Sequence, residues 1–463
     1  MMGLEKRSRS KLWAPLVLGL SSLAALFPPV VHGSQAQELG AERPNILIIV
    51  TDDQRSHGTL AVMPRTKEFF QDRGVSFTNA VATTPLCCPS RTSILTGLYA
   101  HNHNVRENSA TATANFNPQL SLQRYLDQAG YQTGLFGKFL NHWDLSQNPE
   151  YFDRWSVFNY GYWKSQFNVD GVQQTVYQYS TDFVASQARA FLEGTETADD
   201  APWFMYVAPF APHLPARPKP LYKSAAVPEL ERNPATFEQD LSDKPPYVAN
   251  RQEPIADIER RRAKQLRTLM SVEDLIADVA ETMNVHNEAS ETLAFFMSDN
   301  GFLWGEHGLW AKGVPYTDST EIPVLMRWPG HVASGTVDDR LAANIDIAPT
   351  VLDAAGLAPS PPMDGRSLLG GDERERVLLE MFGSKRYGGL QWSSTRSEAG
   401  GYQYVENYDP ETGARFVEYY DLGADPFQLT NLLADGFPLN DPDTAPLSAQ
   451  LLQDMHCSAG SCP

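Results

Sequence analysis

The sequence predicts an α/β fold in which a mainly parallel central sheet is flanked by helices and followed by a smaller C-terminal subdomain with an antiparallel sheet. Three observations lead there. Runs 44–50, 131–136, 203–207 and 292–297 are short and apolar, the pattern of strands buried on both faces of a parallel sheet. Amphipathic stretches 120–129, 182–193 and 255–286 each precede one of these runs, and strand–helix alternation characterises α/β architecture. From about residue 374 the pattern changes to short strands at 377–382, 401–408 and 415–422 with tight turns, which suits antiparallel pairing.

The 463 residues suffice for one large domain and a smaller one, and a hydrophobic content of 42% suits a packed core. Residues 1–36 read as a secretory signal peptide: Lys6, Arg7, Arg9 and Lys11 precede an apolar run at 12–31, and small residues follow at 33–36. The competing reading of that run is a retained membrane anchor, against which Pro15, Pro28 and Pro29 weigh. The expectation is therefore a secreted or periplasmic protein without stable membrane insertion. A catalytic domain is expected at 44–370 and an α+β subdomain at 371–463. The net charge of -19 argues against nucleic acid as a partner. In the tail, Cys457 and Cys462 most simply close a disulfide loop, which export permits.

Each apolar run leads to groups that carry chemistry. Residues 44–50 lead to Asp52-Asp53, 131–136 to Lys138, 203–207 through Pro212 to His213, and 292–297 to Asp299-Asn300. Ligands of open α/β sheets gather beyond the carboxyl ends of strands, so four such ends predict a common rim. Asp52, Asp53, Asp299 and Asn300 offer hard oxygens to a cation, calcium before magnesium, although Asp52 or Asp53 could instead cap the next helix. Such a set suits hydrolysis of an oxyanion ester, and spacing alone does not separate sulfate from phosphate. The aperiodic, Pro-rich stretch 214–254 is long enough to frame a substrate. Aromatic residues at 155–163 either stack on sugar faces or pack in a core, and Arg260, Arg261 and Arg262 read as a solvated face.

Two of the four cysteines lie in Leu86-Cys87-Cys88-Pro89-Ser90-Arg91-Thr92-Ser93-Ile94-Leu95-Thr96-Gly97, at the start of a helical run. A helix N-terminus is a ready anion site, and Arg91 adds a forked cation to it. The pattern C-x-P-S-R-x-x-x-L-T-G resembles the signature of the type I sulfatases of the alkaline phosphatase superfamily. The resemblance runs from 44 to 432 and includes Gly137-Lys138, Pro212-His213, Ser298-Asp299-Asn300-Gly301, Lys312, Tyr420-Asp421-Leu422, Asp425-Pro426 and Asn431-Leu432. It implies an alkaline-phosphatase-like fold, a maturation enzyme that oxidises Cys87 to formylglycine, and calcium held by residue 87 with Asp52, Asp53, Asp299 and Asn300. One hydroxyl of the hydrated aldehyde would attack sulfur and the other would then expel sulfate. Arg91 would orient the hydrate, Lys138 and Lys312 would bind sulfate oxygens, and His213 would protonate or bind the leaving oxygen. Cys88 reads as packing.

Many sulfatases carry a histidine two residues after the lysine equivalent to Lys138, whereas this chain has Leu140 there, followed by Asn141. The segments around Cys87, at 96–105 and at 137–141 are instead similar to N-acetylglucosamine-6-sulfatases and heparan sulfate 6-O-endosulfatases. That similarity implies a sulfated carbohydrate such as N-acetylglucosamine 6-sulfate, with aryl sulfates as surrogate substrates. It offers Asn141 for substrate binding and His101 or His103 for sulfate release. Two readings stand beside this one: a phosphodiesterase or phosphonate monoester hydrolase of the same superfamily, and a sulfated-glycan binding protein whose Cys87 remains a thiol.

Overall fold

The computed structural model describes residues 43–198, 201–249, 254–371, 373–398 and 401–463; the signal segment expected at 1–36 lies outside them. Its first strands are β1 (Asn45–Thr51), β2 (Val75–Val81), β3 (Gln132–Lys138), β4 (Arg154–Phe158), β5 (Ser165–Val169), β6 (Val172–Val176), β7 (Trp203–Ala208) and β8 (Thr292–Ser298). A two-stranded ribbon, β9 (Leu303–Trp304) and β10 (Trp310–Ala311), precedes β11 (Val324–Arg327) and β12 (Thr336–Ala343). The main sheet has ten strands in the order β12-β2-β11-β8-β1-β7-β3-β4-β5-β6. The pairings make β11 and β5 run against the other strands of this sheet, so the predicted mainly parallel α/β architecture holds.

β1 shows why an uninterrupted apolar run becomes a central strand. Ile46, Ile48 and Val50 pack on one face of the sheet, Leu47 and Ile49 on the other, and all five are fully buried. The second face is covered by Leu269, Val272 and Ile276 of the long helix Ile255–Val285 and by Val184 and Ala188 of Ser180–Ala198. Each methylene removed from water contributes about 0.8 kcal/mol, which places β1 among the most stabilising segments of the core.

The C-terminal sheet consists of β13 (Arg376–Ser384), β14 (Leu390–Ser397), β15 (Tyr402–Tyr408) and β16 (Arg415–Asp421), paired antiparallel in chain order. Three of these strands match the sequence expectation. The fourth, β14, escapes it because Ser393, Ser394, Thr395, Arg396 and Ser397 look like a loop, yet all five are buried. β2 escapes for the same reason, with Ser76, Thr78 and Asn79 interrupting its apolar residues.

The triple arginine is not uniformly a solvated face. Arg262 is 5% exposed, donates from Nη1 to the Pro228 carbonyl (2.8 Å) and from Nη2 to the Glu229 carbonyl (2.9 Å), and lies over the Trp304 ring. Arg260 instead pairs with Asp257 at the surface. One buried arginine thus pins the Pro-rich stretch to the long helix.

The helix Cys87–Thr96 is buried throughout and ends at Gly97 in the left-handed region (φ 66°), where a Cβ would meet the Met363 sulfur at 2.7 Å. Two histidines follow it. His103 Nδ1 accepts from the Val105 N–H (3.1 Å), so Nε2 carries the proton and donates to Ser93 Oγ (3.1 Å). Burial holds its pKa down to about 3. His101 Nδ1 faces the Glu380 carboxylate (3.0 Å) and Nε2 faces the Cys457 carbonyl (3.0 Å); two acceptors require two N–H groups, so this ring is an imidazolium. Burial opposes its charge, and Glu380 outweighs burial and raises the pKa. Cys457 is disulfide-bonded to Cys462. Both rings have partners within the fold: His101 ties the segment after the signature helix to Glu380 and Cys457, and His103 ties the signature helix to the segment that follows it.

Two tests follow from these contacts. Arg262→Ala should lower the unfolding free energy by about 2 kcal/mol in denaturant titration, from two lost charge-assisted hydrogen bonds, while Arg260→Ala stays within about 0.5 kcal/mol. For His103, the unfolded chain takes up a proton near pH 6.5 that the folded state refuses until about 3. Stability must then fall as pH drops through that window, by up to about 1.4 kcal/mol per unit. Titrations across pH 7 to 4 should show this slope removed in His103→Gln, and an identical slope in both proteins would contradict it.

Candidate active site

Parallel strands deliver their carboxyl ends to one edge of the sheet, and the site is assembled there. β1 and β8 pair through Thr51↔Ser298, which sets Asp52-Asp53 beside Asp299-Asn300. Asp53 takes a left-handed conformation (φ 69°), and its N–H donates to Asp299 Oδ1 (3.0 Å). β3 ends on Lys138, whose Nζ donates to Asp52 Oδ2 (2.6 Å). The segment after β7 bridges back to β1 through Asp52↔Pro212, which brings His213 Nε2 to 3.6 Å from Asp53 Oδ2. Four sequence-predicted strand ends thus meet.

Cys87, fully buried at the first position of the signature helix, points into this cluster. Its Sγ lies 3.5 Å from Asp52 Oδ1 and 2.9 Å from Lys312 Nζ. The Lys312 ammonium also donates to Asp53 Oδ1 and to Asn300 Oδ1 (3.0 Å). One turn along the helix, Arg91 donates from Nε to Asp299 Oδ2 (2.8 Å) and from Nη1 to the Lys138 carbonyl (2.7 Å). Its Nη2 is buried without a hydrogen-bond partner, 3.8 Å from Asp52 Oδ1.

Burial penalises every charge here, and the opposite charges overcome it. For Asp52, burial pushes upward, but Lys138, His213 and Arg91 hold the carboxyl at about 2. Asp53 is likewise held below the usual range against burial, chiefly by Lys312. Burial disfavours the His213 cation, yet Asp52 and Asp53 raise its pKa to about 9. Its Nδ1 lies 2.6 Å from the Leu214 carbonyl, so Nδ1–H donates there and Nε2 is the nitrogen that exchanges a proton at the site.

The donor set fits a hard cation. Ligand atoms of Asp52, Asp53, Cys87 and His213 lie within 4.8 Å of one another. Oxygens of Asp53 and Asn300 already converge on one positive centre, the Lys312 ammonium. Carboxylate and amide oxygens gathered around one positive charge are the ligands calcium takes. Asp299 adjoins this set, accepting from the Asp53 N–H and from Arg91 Nε.

Other expected residues are placed elsewhere. His101 and His103 hold the structural partners described above. Asn141 is tied down by its backbone: its N–H donates to Cys88 Sγ (3.0 Å) and its carbonyl accepts from Thr113 Oγ1 (2.7 Å). Burial pushes the Cys88 thiol up to about 12, which keeps it neutral and agrees with a packing role. The Pro-rich stretch lines a cavity of about 590 Å³ with Arg55, Arg262 and Trp304, and none of the clustered site residues lines it. Two residues that position His213 were not anticipated. Phe210 packs on its ring at 4.7 Å, and the Tyr162 hydroxyl donates to its carbonyl at 2.6 Å. Phe210 could have been found from the run ending at His213, whereas Tyr162 reaches it only through the strand order.

Comparison with known proteins agrees with this arrangement. The sequence model of the sulfatase family matches residues 44–357. The chain is 32% identical over 349 residues to the extracellular sulfatase SULF-1 homolog of Drosophila melanogaster, covering 71% of this chain and 31% of that protein. It also covers 48% of a Caenorhabditis elegans Sulf-1 homolog, so it spans half or less of the length of these extracellular sulfatases. With the N-acetylglucosamine-6-sulfatase of Homo sapiens it shares 28% identity over 489 residues, 91% of this chain and 86% of that one. A solved protein in complex with its substrate D-glucosamine-2-N,6-O-disulfate superimposes with a TM-score of 0.74 at 23% identity, over 90% of this chain and 97% of that one. The phosphonate monoester hydrolase of Agrobacterium radiobacter superimposes with a TM-score of 0.66 at 21% identity, over 89% and 95%. These two structures share the fold. With a family match that begins at β1 and continues past β12, and a relative above 30% identity, this chain belongs to the sulfatase family.

Proposed function

We propose that this protein is an exported, calcium-dependent sulfatase that hydrolyses a sulfate ester of a sugar, with N-acetylglucosamine 6-sulfate as the substrate type. The observation that carries the reading is the position of Cys87, whose sulfur sits among Asp52, Asp53 and His213 and within 2.9 Å of Lys312 Nζ. The Cys87 sulfur would mark the place of a formylglycine side chain, whose hydrate would supply one hydroxyl for attack on sulfur and another whose deprotonation would release sulfate. Asp52, Asp53, Asp299, Asn300 and residue 87 would hold calcium, which would supply positive charge to stabilise the attacking oxygen.

The chain's own residues do the rest. Arg91 Nη2, an unmatched buried donor, is available to an oxygen on residue 87. Lys138 and Lys312 bring two ammonium groups to the oxygens of the transferred sulfate. His213, 28% exposed and with its pKa raised by Asp52 and Asp53, would give the departing alcohol the Nε2 proton. Having lost that proton, the same imidazole accepts one when sulfate is expelled, because it is the one histidine grouped with Asp52, Asp53 and Cys87 among the described residues. The N-acetylglucosamine-6-sulfatase relatives support the sugar assignment, and Asn141, at the turn after Lys138, is proposed to border the substrate.

Cys87→Ala should lower kcat for 4-nitrophenyl sulfate by about a thousandfold or more, and peptide mass spectrometry across residue 87 of active protein from its native source should find the aldehyde. An unmodified thiol in fully active protein would refute the mechanism. A matched aryl phosphodiester turned over faster than the sulfate would favour the phosphodiesterase reading instead. Chelation of divalent cations should abolish turnover and calcium should restore it; activity that persists in chelator removes the cation from the mechanism.

A further inference from the structure

The chain has 18 tyrosines and nine tryptophans, of which Trp13 lies outside the described residues. Of the others, three side chains are exposed: Tyr160 (75%), Trp163 (41%) and Tyr177 (71%). All three lie on one stretch of one rim. β4 runs parallel to β3 with Phe158 paired to Lys138, so the β4–β5 loop bearing Tyr160 and Trp163 emerges at the edge where Lys138 ends. The β5–β6 hairpin pairs Ser165 with Val176 and returns the chain to that edge, where Tyr177 follows directly. Neighbouring strands lie roughly 5 Å apart, so the three rings extend along the rim over the first three strands beyond Lys138, roughly 5 to 15 Å away.

The loop is also coupled to the proton donor. Tyr162, between Tyr160 and Trp163, is buried, donates its hydroxyl to the His213 carbonyl (2.6 Å) and packs edge-on against Phe210 (5.2 Å). Phe210 in turn contacts the His213 ring and lies 5.7 Å below Lys138 Nζ. Trp163 is braced edge-on by Tyr179 (5.0 Å), whose hydroxyl donates to the Arg217 carbonyl (3.1 Å). Exposed apolar side chains without a polar tip, such as Val285, Phe437, Leu439 and Leu452, lie on other segments, whereas the exposed tyrosines and tryptophan among the described residues are confined to this rim. Flat rings that combine an apolar face with a polar tip complement the C–H faces and hydroxyl edges of pyranoses, and continuity with the sulfate site identifies the occupant.

We propose that Tyr160, Trp163 and Tyr177 form a stacking platform for the sugar residues that adjoin the sulfated one, so that the enzyme prefers an oligosaccharide to a monosaccharide or an aryl sulfate. This rests on the sulfatase reading above. The probe is a tetrasaccharide ending in N-acetylglucosamine 6-sulfate, compared with 4-nitrophenyl sulfate. Trp163→Ala and Tyr160→Ala should each lower the ratio of kcat/KM for the tetrasaccharide to that for the aryl ester by about tenfold, mainly through KM. Trp163→Phe should recover most of the ratio, and Leu452→Ala on the C-terminal helix should not move it. A ratio unchanged in both alanine variants overturns the platform. If the wild-type protein turns over neither compound, the sulfatase reading fails by itself. Tetrasaccharide titration followed by tryptophan fluorescence then decides the platform, because quenching that persists in Trp163→Phe overturns it and quenching that disappears supports it.

Discussion

The Arg91 guanidinium holds three strand ends to one helix, and the rim depends on that junction. It has no contact with solvent, bonds Asp299 after β8 and the last carbonyl of β3, and approaches Asp52 after β1. A buried ion pair is costly to assemble and more costly to break, because the abandoned partner is left charged in a medium that cannot solvate it. Such a junction adds little net stability, but it restricts the rim to arrangements in which all its partners are present. Arginine suits the task where lysine would not, since a planar fork can serve a carboxylate and a carbonyl together and retains its charge under burial.

Charge balance sets the character of the remaining residues. Lys138, Lys312 and Arg91 stand against Asp52, Asp53 and Asp299, so the cluster is compensated from within. Lys312 is the adaptable member: its ammonium touches Asp53, Asn300 and Cys87 at once, and its flexible stem allows it to follow an arriving anion. The His213 imidazole lies at the exposed edge of the same field, where Asp52 and Asp53 raise its pKa.

Much of the fold and part of the site could be read from the sequence because the signals were local. An apolar run buried on both sides of a sheet looks the same in any context, and so β1, β3, β7 and β8 were recognisable, together with the groups at their ends. β2 and β14 were not, since the burial of their polar residues is decided by what packs over them. Arg262 shows the same limit: nothing distinguishes it from Arg260 in the sequence, and only the direction in which it leaves the helix makes one an anchor and the other a surface charge. His101, after the signature helix, carried chemistry in its residue type, but its acceptors, Glu380 and Cys457, come from the far end of the chain. Tyr162 meets His213 only because β4 lies next to β3, a fact of strand order.

The concealment of Cys87 also has a consequence for time. Its side chain has no exposed surface, lies at the head of a helix buried along its whole length, and is enclosed by strand ends that come from opposite halves of the chain. Another enzyme cannot reach such a thiol once β8 has joined β1. The proposed oxidation of this cysteine therefore requires nascent or still-open chain, where it would compete with collapse.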